Sequence, residues 1–434
     1  MKKIVILITF LVSMLYGTKR EMATFISPHS QSVNAARELA GWQNYINSSS
    51  NKNCYGAFAL IPEVTLSFRP ERIAQCLFGD GIINCKNKLT ISGSRIEREP
   101  TDWLADYFGL PTDYKSIVKI DPQVSNALID FNCFIGWDCC IPGLYARIHA
   151  PLVYARWDLK LCESFVTTGS FAYDPGYFNP DGIPRIQLVD SFTDFISGYD
   201  APKATDLKFN QLGYAKMSPH SLRLTKLSDV QIAIGYNIFR NKKYHLGGNI
   251  RCAIPTGNRP TGEFVFEPII GNGHHWELGG GISAHIRLWE NEELDDYSGL
   301  YLDANFTHLF GSSQCRSFDI CNKPNSRYML AQKMSPLIAD NLRADSNGIL
   351  EAPNAQFAQE VTTVANLTTI PITVSNTIQV DLAVMLAFTK GKNSWTIGYG
   401  FWGRSCDKIC LPPVTPLSLS MWALKGDAQL YGYE

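Results

Sequence analysis

From Thr377 to Arg404 apolar and polar residues alternate with a period of two. Ile378, Val380, Leu382, Val384, Leu386 and Phe388 fall on one side. Thr377, Gln379, Asp381, Ala383, Met385, Ala387 and Thr389 fall on the other. A polar turn, Lys390–Asn393, follows, and the alternation resumes with Trp395, Ile397, Tyr399 and Phe401. Period two over this length predicts a hairpin of two long strands, each with one apolar face. A tilted strand of about 10 residues is long enough to span the hydrocarbon core of a bilayer.

The same pattern predicts strands at Ala57–Phe68, Arg72–Phe78, Leu89–Arg95 and Leu128–Trp137, and a long one at Leu144–Cys162. In the last, the apolar set changes phase at Pro151, which predicts a β-bulge there. Two further hairpins follow, Val230–Phe239 with Tyr244–Ile254 and Trp276–Trp289 with Leu300–Phe310. A final turn at Lys425–Asp427 joins Ser418–Leu424 to Ala428–Glu434. Two helices are expected, Ser32–Tyr45 and Thr101–Phe108, the second closed by Gly109 and Pro111.

From Leu144 onward long and short connections alternate. Glu163–Asp229, Pro255–His275 and Gly311–Asn376 are long; Arg240–Lys243, Lys390–Asn393 and Lys425–Asp427 are short. Short turns on one side and long loops on the other match an outer-membrane barrel, and a β-sandwich does not require that rhythm. The polar face of these strands carries candidate lumen residues: Arg156, Asp158 and Lys160; Arg251; Glu277, His285 and Arg287; Asp303; Asp381. Aromatic residues cluster at strand ends (Phe239, Tyr244, Trp276, Trp289, Trp395, Trp402), as in an interfacial girdle. The fold class expected is therefore all-β, an antiparallel up-and-down transmembrane barrel of about 12–14 strands with two short helices in its N-terminal half. The competing reading is a soluble barrel or sandwich with a packed core.

Met1-Lys2-Lys3 followed by the apolar run Ile4–Val12 reads as a secretory signal peptide over residues 1–20. Residues 21–55 then form an N-terminal helical segment, a candidate plug, and 56–434 the barrel. Counting about 13 strands leaves the last one running outward, where an even number is the bacterial rule. The parity predicts either at least one more strand beyond Glu434 or a different strand count in the weak region before Leu128.

The formal net charge of −1 argues against a nucleic-acid partner. The 12 cysteines in an exported chain make disulfides plausible. Cys315 with Cys321 and Cys406 with Cys410 are the close pairs, each able to close a small loop; Cys139 is expected to bond another cysteine rather than its neighbour Cys140. No Cys-x-x-Cys pair or zinc spacing occurs. His274-His275-Trp276-Glu277 lacks the helical His-Glu-x-x-His spacing of a zinc protease, Ile254–Pro260 lacks the end of a phosphate-binding loop, and no nucleophile elbow is present. No catalytic, metal or cofactor site is expected, and no enzyme activity.

The signal peptide, the β-meander and the strand-ending Ile254-Pro255-Thr256-Gly257 segment resemble the outer-membrane transport barrels for long-chain fatty acids and aromatic hydrocarbons. The resemblance implies a bacterial outer-membrane location, a lateral or lumenal route for hydrophobic small molecules, and an N-terminal plug, for which Ser32–Tyr45 is the candidate. The expected partners are the lipid bilayer and small solutes. The expected role is passive passage or uptake of small solutes; the alternatives are a structural or adhesive surface barrel acting through its long loops, and a secreted β-rich hydrolase.

Overall fold

The computed structural model describes residues 23–42, 53–79, 87–178, 182–241, 243–291, 296–334, 357–391, 393–413 and 421–425. The signal-peptide region and the final run Ala428–Glu434 lie outside them. Strand dominates and helix is scarce. The main sheet has eleven strands. In chain order they are β1 (Cys54–Leu66), β2 (Gln123–Trp137), β3 (Leu144–Asp158), β4 (Leu222–Leu227), β5 (Val230–Arg240), β6 (Tyr244–Ile254), β7 (Glu277–Asn291), β8 (Asp296–Arg316), β9 (Ile370–Lys390), β10 (Asn393–Arg404) and β11 (Lys408–Cys410). Sequential neighbours pair antiparallel throughout, so the sheet is an up-and-down meander.

Two pairs of these strands are single strands with an interruption. β4 and β5 both pair with β3, and the register steps by one between Leu152↔Leu227 and His149↔Gln231. That step is a bulge at Ser228-Asp229. β10 and β11 both pair with β9 in one continuous register. The path therefore runs β1, β2, β3, β4/β5, β6, β7, β8, β9, β10/β11. Alternating directions over this odd number of positions leave β1 and β10 running the same way. The sheet is not closed among the described residues, and β1 and β10 are its edges.

The expected bulge at Pro151 is not there. β2 and β3 pair in unbroken register through Asp130↔Pro151. Tyr145, Arg147, His149, Pro151, Val153, Ala155 and Trp157 all face inward, and the intervening residues face out. What changes at Pro151 is the chemistry of each face. Below it the inner residues are polar and the outer ones apolar (Leu144, Ala146, Ile148). Above it the inner residues are apolar (Val153, Ala155, Trp157) and the outer face carries Arg156. β9 repeats the inversion. Ile370, Ile372 and Val374 are buried above Thr377, while Gln379 and Asp381 are buried below it and Ile378 and Phe388 are exposed.

The upper level has a core of its own. The long connections all leave the sheet at that end and fold into a cap. Trp103, Phe108, Phe192, Phe195 and Tyr328 cluster there with Leu128, Val153 and Trp157 from the strand tops. Trp103 stacks on Phe108, and Phe192 meets Phe108 edge-on at 4.9 Å. Two four-stranded sheets belong to the cap. One is Lys88–Ser92 with Trp103–Leu104, Lys115–Lys119 and Cys162–Thr167. The other is Leu330–Met334 with Phe357–Thr363, Lys208–Phe209 and Trp422–Leu424.

Three other expectations change. Arg72–Phe78 is not a strand but part of a helix, Pro70–Phe78, started by proline in its first turn and buried through Ala74, Leu77 and Phe78. Those residues share one face at helical spacing. Thr101–Phe108 is a short strand followed by a 3₁₀ turn, Ala105–Phe108, ended by Gly109 at φ +64°. Trp422–Leu424 pairs with Leu330–Met334 in the cap and not with the main sheet.

Candidate functional site

The helix α1 (Ala35–Trp42) lies against the inner face of the main sheet and touches β8, β9 and both edge strands, β1 and β10. Its start is fixed twice. The Asn34 side-chain oxygen accepts from Arg37 N (3.1 Å), an N-cap. Asp381 on β9 accepts from Ala35 N (3.0 Å), which places a carboxylate at the positive end of the helix. One side of α1 is small and apolar. Ala35 and Leu39 pack on Tyr301, Ala383, Met385 and Ala387. The small wall residues, with Gly400 beside Ala36, let the helix approach the sheet closely.

The other side of α1 is charged and reaches the opposite wall. Arg37 donates Nε to Asp130 (2.9 Å), Nη1 to Glu63 (2.8 Å) and Nη2 to the Gln31 carbonyl (3.0 Å). Glu38 accepts from Arg147 Nη1 at 2.7 Å and lies 3.4 Å from His149 and 3.9 Å from Arg251. Arg147 also donates to Asn132 (3.1 Å). The Glu38 and Asp130 side chains are 1% and 0% exposed, so this is a fully desolvated ion network. Such a network fixes geometry better than it adds stability, because desolvation offsets most of the Coulomb gain.

Beside it lies a cavity of about 20 Å³ lined by Phe134, Tyr145, Arg147, Ala233, Asn249, Arg251, Ser283 and Asp303. That is room for about one water molecule. Buried polar atoms of Gln231, Arg251 and Asn305 have no protein hydrogen-bond partner among the described residues. Such groups ordinarily find a water partner, and the cavity has room for about one.

The segment leading into α1 is pinned at the level where the faces invert. Ser32 Oγ contacts Ser228 Oγ (2.8 Å) and Asp229 (2.9 Å) at the bulge. Asp229 also accepts from Gly257 N (3.1 Å) and Asn272 N (2.7 Å). Gly271, at φ +84°, passes so close that a Cβ there would lie 2.6 Å from the Asp229 carboxylate. The Pro255-Thr256-Gly257 element thus serves as a structural joint. Higher up, Phe25 lies under the Arg316 guanidinium and Ser27 accepts from Arg404 (2.9 Å).

Of the residues singled out from sequence, Arg251, Glu277 and Asp381 are buried on the inner face, with Asp303 and His285 on the same side. Arg287 lies at the lower rim, paired with Glu290 and over the Tyr297 ring. Arg156, Asp158 and Lys160 do not join them. With the inward phase unchanged through Pro151, Arg156 is carried to the outer face, where it faces Asp158 at 3.6 Å. Lys160 is exposed in the following connection. Cys315, Cys321, Cys406 and Cys410 are free thiols. Four extended steps of about 3.3 Å place Cys406 about 13 Å from Cys410, beyond the roughly 7 Å that a disulfide bridges. Among the described residues the disulfide is instead Cys54–Cys139, across a sequence separation of 85. Arg37, Glu38, Glu63, Asp130 and Asn132 were not singled out. Their signal was an Arg-Glu pair inside a predicted helix and two polar residues opposite Ile129 and Phe131.

Cap carboxyls are shifted by their surroundings. Lys208 Nζ (2.9 Å), Lys333 Nζ (2.9 Å) and Asn210 Nδ2 (3.0 Å) hold the Glu360 carboxyl down at about 2. Burial raises Asp106, and hydrogen bonds from Ser94 offset part of that rise. His275 is taken up by the Phe310 carbonyl (2.6 Å) and Gln314 (3.0 Å). No group of three His, Cys, Asp or Glu residues converges as a metal site among the described residues. No family model matches this chain, and no curated protein sequence is significantly similar to it.

Proposed function

We propose that this chain is an outer-membrane-type β-barrel that gives small solutes a route across the bilayer, with α1 as the plug that closes it. The observation that carries the reading is the paired inversion of polarity along the strands. In the lower zone the outer face is apolar: Phe58, Leu60, Ile129, Phe131, Ile148, Ile234, Ile250, Leu278, Ile282 and Ile378 are all more than one-third exposed. The inner face there is polar and charged, with Arg147, His149, Arg251, Gln379 and Asp381 buried. A water-soluble sheet has the opposite arrangement, as at the top of β9, where Ile372 and Val374 are buried and Thr373 is exposed.

The dimensions agree. Ile378 to Phe388 is ten steps of about 3.4 Å, or about 34 Å along the strand. With a tilt of about 40° this gives a band about 26 Å tall, against about 25 Å for outer-membrane barrels. An exposed apolar surface of this extent far exceeds the few hundred Å² typical of soluble monomers.

The charge mix on the inner wall argues for weak ion selectivity once α1 is displaced. The size of the cap favours a second reading, in which the barrel mainly displays the cap to a surface partner. Reconstitution in planar bilayers separates the two. Conductance or solute flux that increases on release of α1 supports the conduit; no flux under any condition, with cap-dependent binding of a partner, supports the display role.

A further inference from the structure

His245 on β6 and His285 on β7 are directly opposite partners in the ladder. Opposite residues project from the same face with their Cβ atoms close together, so both imidazoles rise side by side into the interior. Their Nδ1 atoms meet. The ring centroids are 4.5 Å apart at 48°. Ser283 Oγ lies 3.3 Å from His245 Nε2, and Tyr301 stacks on His285 at 5.6 Å. Arg287, the next inward residue on β7, is engaged by Glu290 and the Tyr297 ring.

Two nitrogens aimed at one point have two ways to coexist: one proton between them, or one metal ion. We propose that His245 and His285 form a binding site for a divalent transition-metal ion of the zinc, copper or nickel type. Imidazole nitrogen is a preferred ligand of all three. Metal–nitrogen bonds of about 2.0–2.1 Å at a tetrahedral angle place the two nitrogens about 3.3 Å apart. A small rotation of either ring reaches that separation. Ser283 Oγ sits on the Nε2 side of His245 and accepts from Nε2–H, which leaves Nδ1 free for the ion; solvent completes the set. With only two strong protein ligands the ion exchanges readily, as suits a site reached from the interior. Tyr301 packs both on His285 and in the cluster holding Ala35 and Leu39, so the site is one ring away from α1.

The test uses the full chain in detergent, purified without a polyhistidine tag and stripped with chelator. Titration with Zn²⁺ or Ni²⁺ by calorimetry is expected to show one saturable equivalent. His245→Gln and His285→Gln each lower the affinity at least tenfold, whereas His308→Gln, on the exposed outer face, leaves it unchanged. With Cu²⁺, electron paramagnetic resonance is expected to show coupling to two nitrogens that falls to one in either variant. Should a variant misfold, wild-type protein is modified with diethyl pyrocarbonate with and without Zn²⁺ and read by mass spectrometry. Protection of both histidines supports the site. Absence of saturable binding, equal binding in the variants, or equal modification with and without Zn²⁺ overturns it and leaves a shared proton as the link.

Discussion

Glu38→Gln is the substitution that most sharply separates a removable plug from a fixed core element. The wild-type carboxylate faces Arg147 at 2.7 Å, His149 at 3.4 Å and Arg251 at 3.9 Å, with its side chain 1% exposed. Removing one partner of a buried ion pair costs about 3–5 kcal/mol, because the other charge stays buried. Against this, the apolar hold on α1 rests mainly on Leu39, and a fully buried leucine contributes about 1.5–3 kcal/mol. The ionic loss matches or exceeds the apolar hold. The main sheet does not depend on α1 for its ladder, so the expected response is undocking of α1 rather than loss of the fold. The assay is single-channel recording in planar bilayers, together with hydrogen exchange over residues 35–42. Glu38→Gln should raise conductance and exchange while the main sheet stays folded. Unchanged conductance with α1 still protected would refute the reasoning and make α1 part of a permanent core.

Other outcomes follow from the same geometry. Ile282→Lys and Ile234→Lys place a charge on the outer apolar band and should each cost about 2–4 kcal/mol of folding in lipid, while Thr373→Lys above the inversion should stay within about 0.5 kcal/mol; urea titrations in vesicles measure both, and equal effects would remove the case for a lipid belt. Cys54→Ser opens the loop of 85 residues closed by Cys139 and should cost up to about 4.5 kcal/mol on the chain-entropy account; peptide mapping without reductant should recover the Cys54–Cys139 pair in wild type. Glu360, held down at about 2, lends the cap stability that is fully present above the ordinary carboxyl value of 4.5 and is lost as pH falls through about 2. Glu360→Gln should therefore weaken the cap by less than about 1 kcal/mol at neutral pH and flatten its acid transition, read by thermal melts across pH.

Much of the sheet was legible in the sequence because each strand has one strongly apolar face. The hairpins Val230–Ile254 and Thr377–Arg404 stand near their expected boundaries for that reason, and the period-3.6 pattern around Val33–Trp42 located α1. Pro151 was misread because periodicity reports which residues are apolar, not which way they point. An apolar set that changes phase is equally consistent with a bulge and with a strand that crosses from one solvent to another. The unbroken β2–β3 register shows the strand keeping its phase, and the misreading carried Arg156, Asp158 and Lys160 to the wrong face. The interior network was less legible. Asp130 and Arg147 sit on an inner face, but their partners Arg37 and Glu38 are 93 and 109 residues away in sequence, and only the fold brings them together. The Cys54–Cys139 pairing was hidden for the same reason, since closeness in sequence points to Cys406 and Cys410, which an extended backbone keeps apart.

The central claim is that the outer apolar band of the main sheet is a lipid-facing surface of a folded barrel. Membrane fractionation followed by electrophoresis of heated and unheated samples tests it most directly. The protein is expected in the outer-membrane fraction, with the unheated band migrating apart from the heated one. A soluble protein whose band does not shift on heating would contradict it.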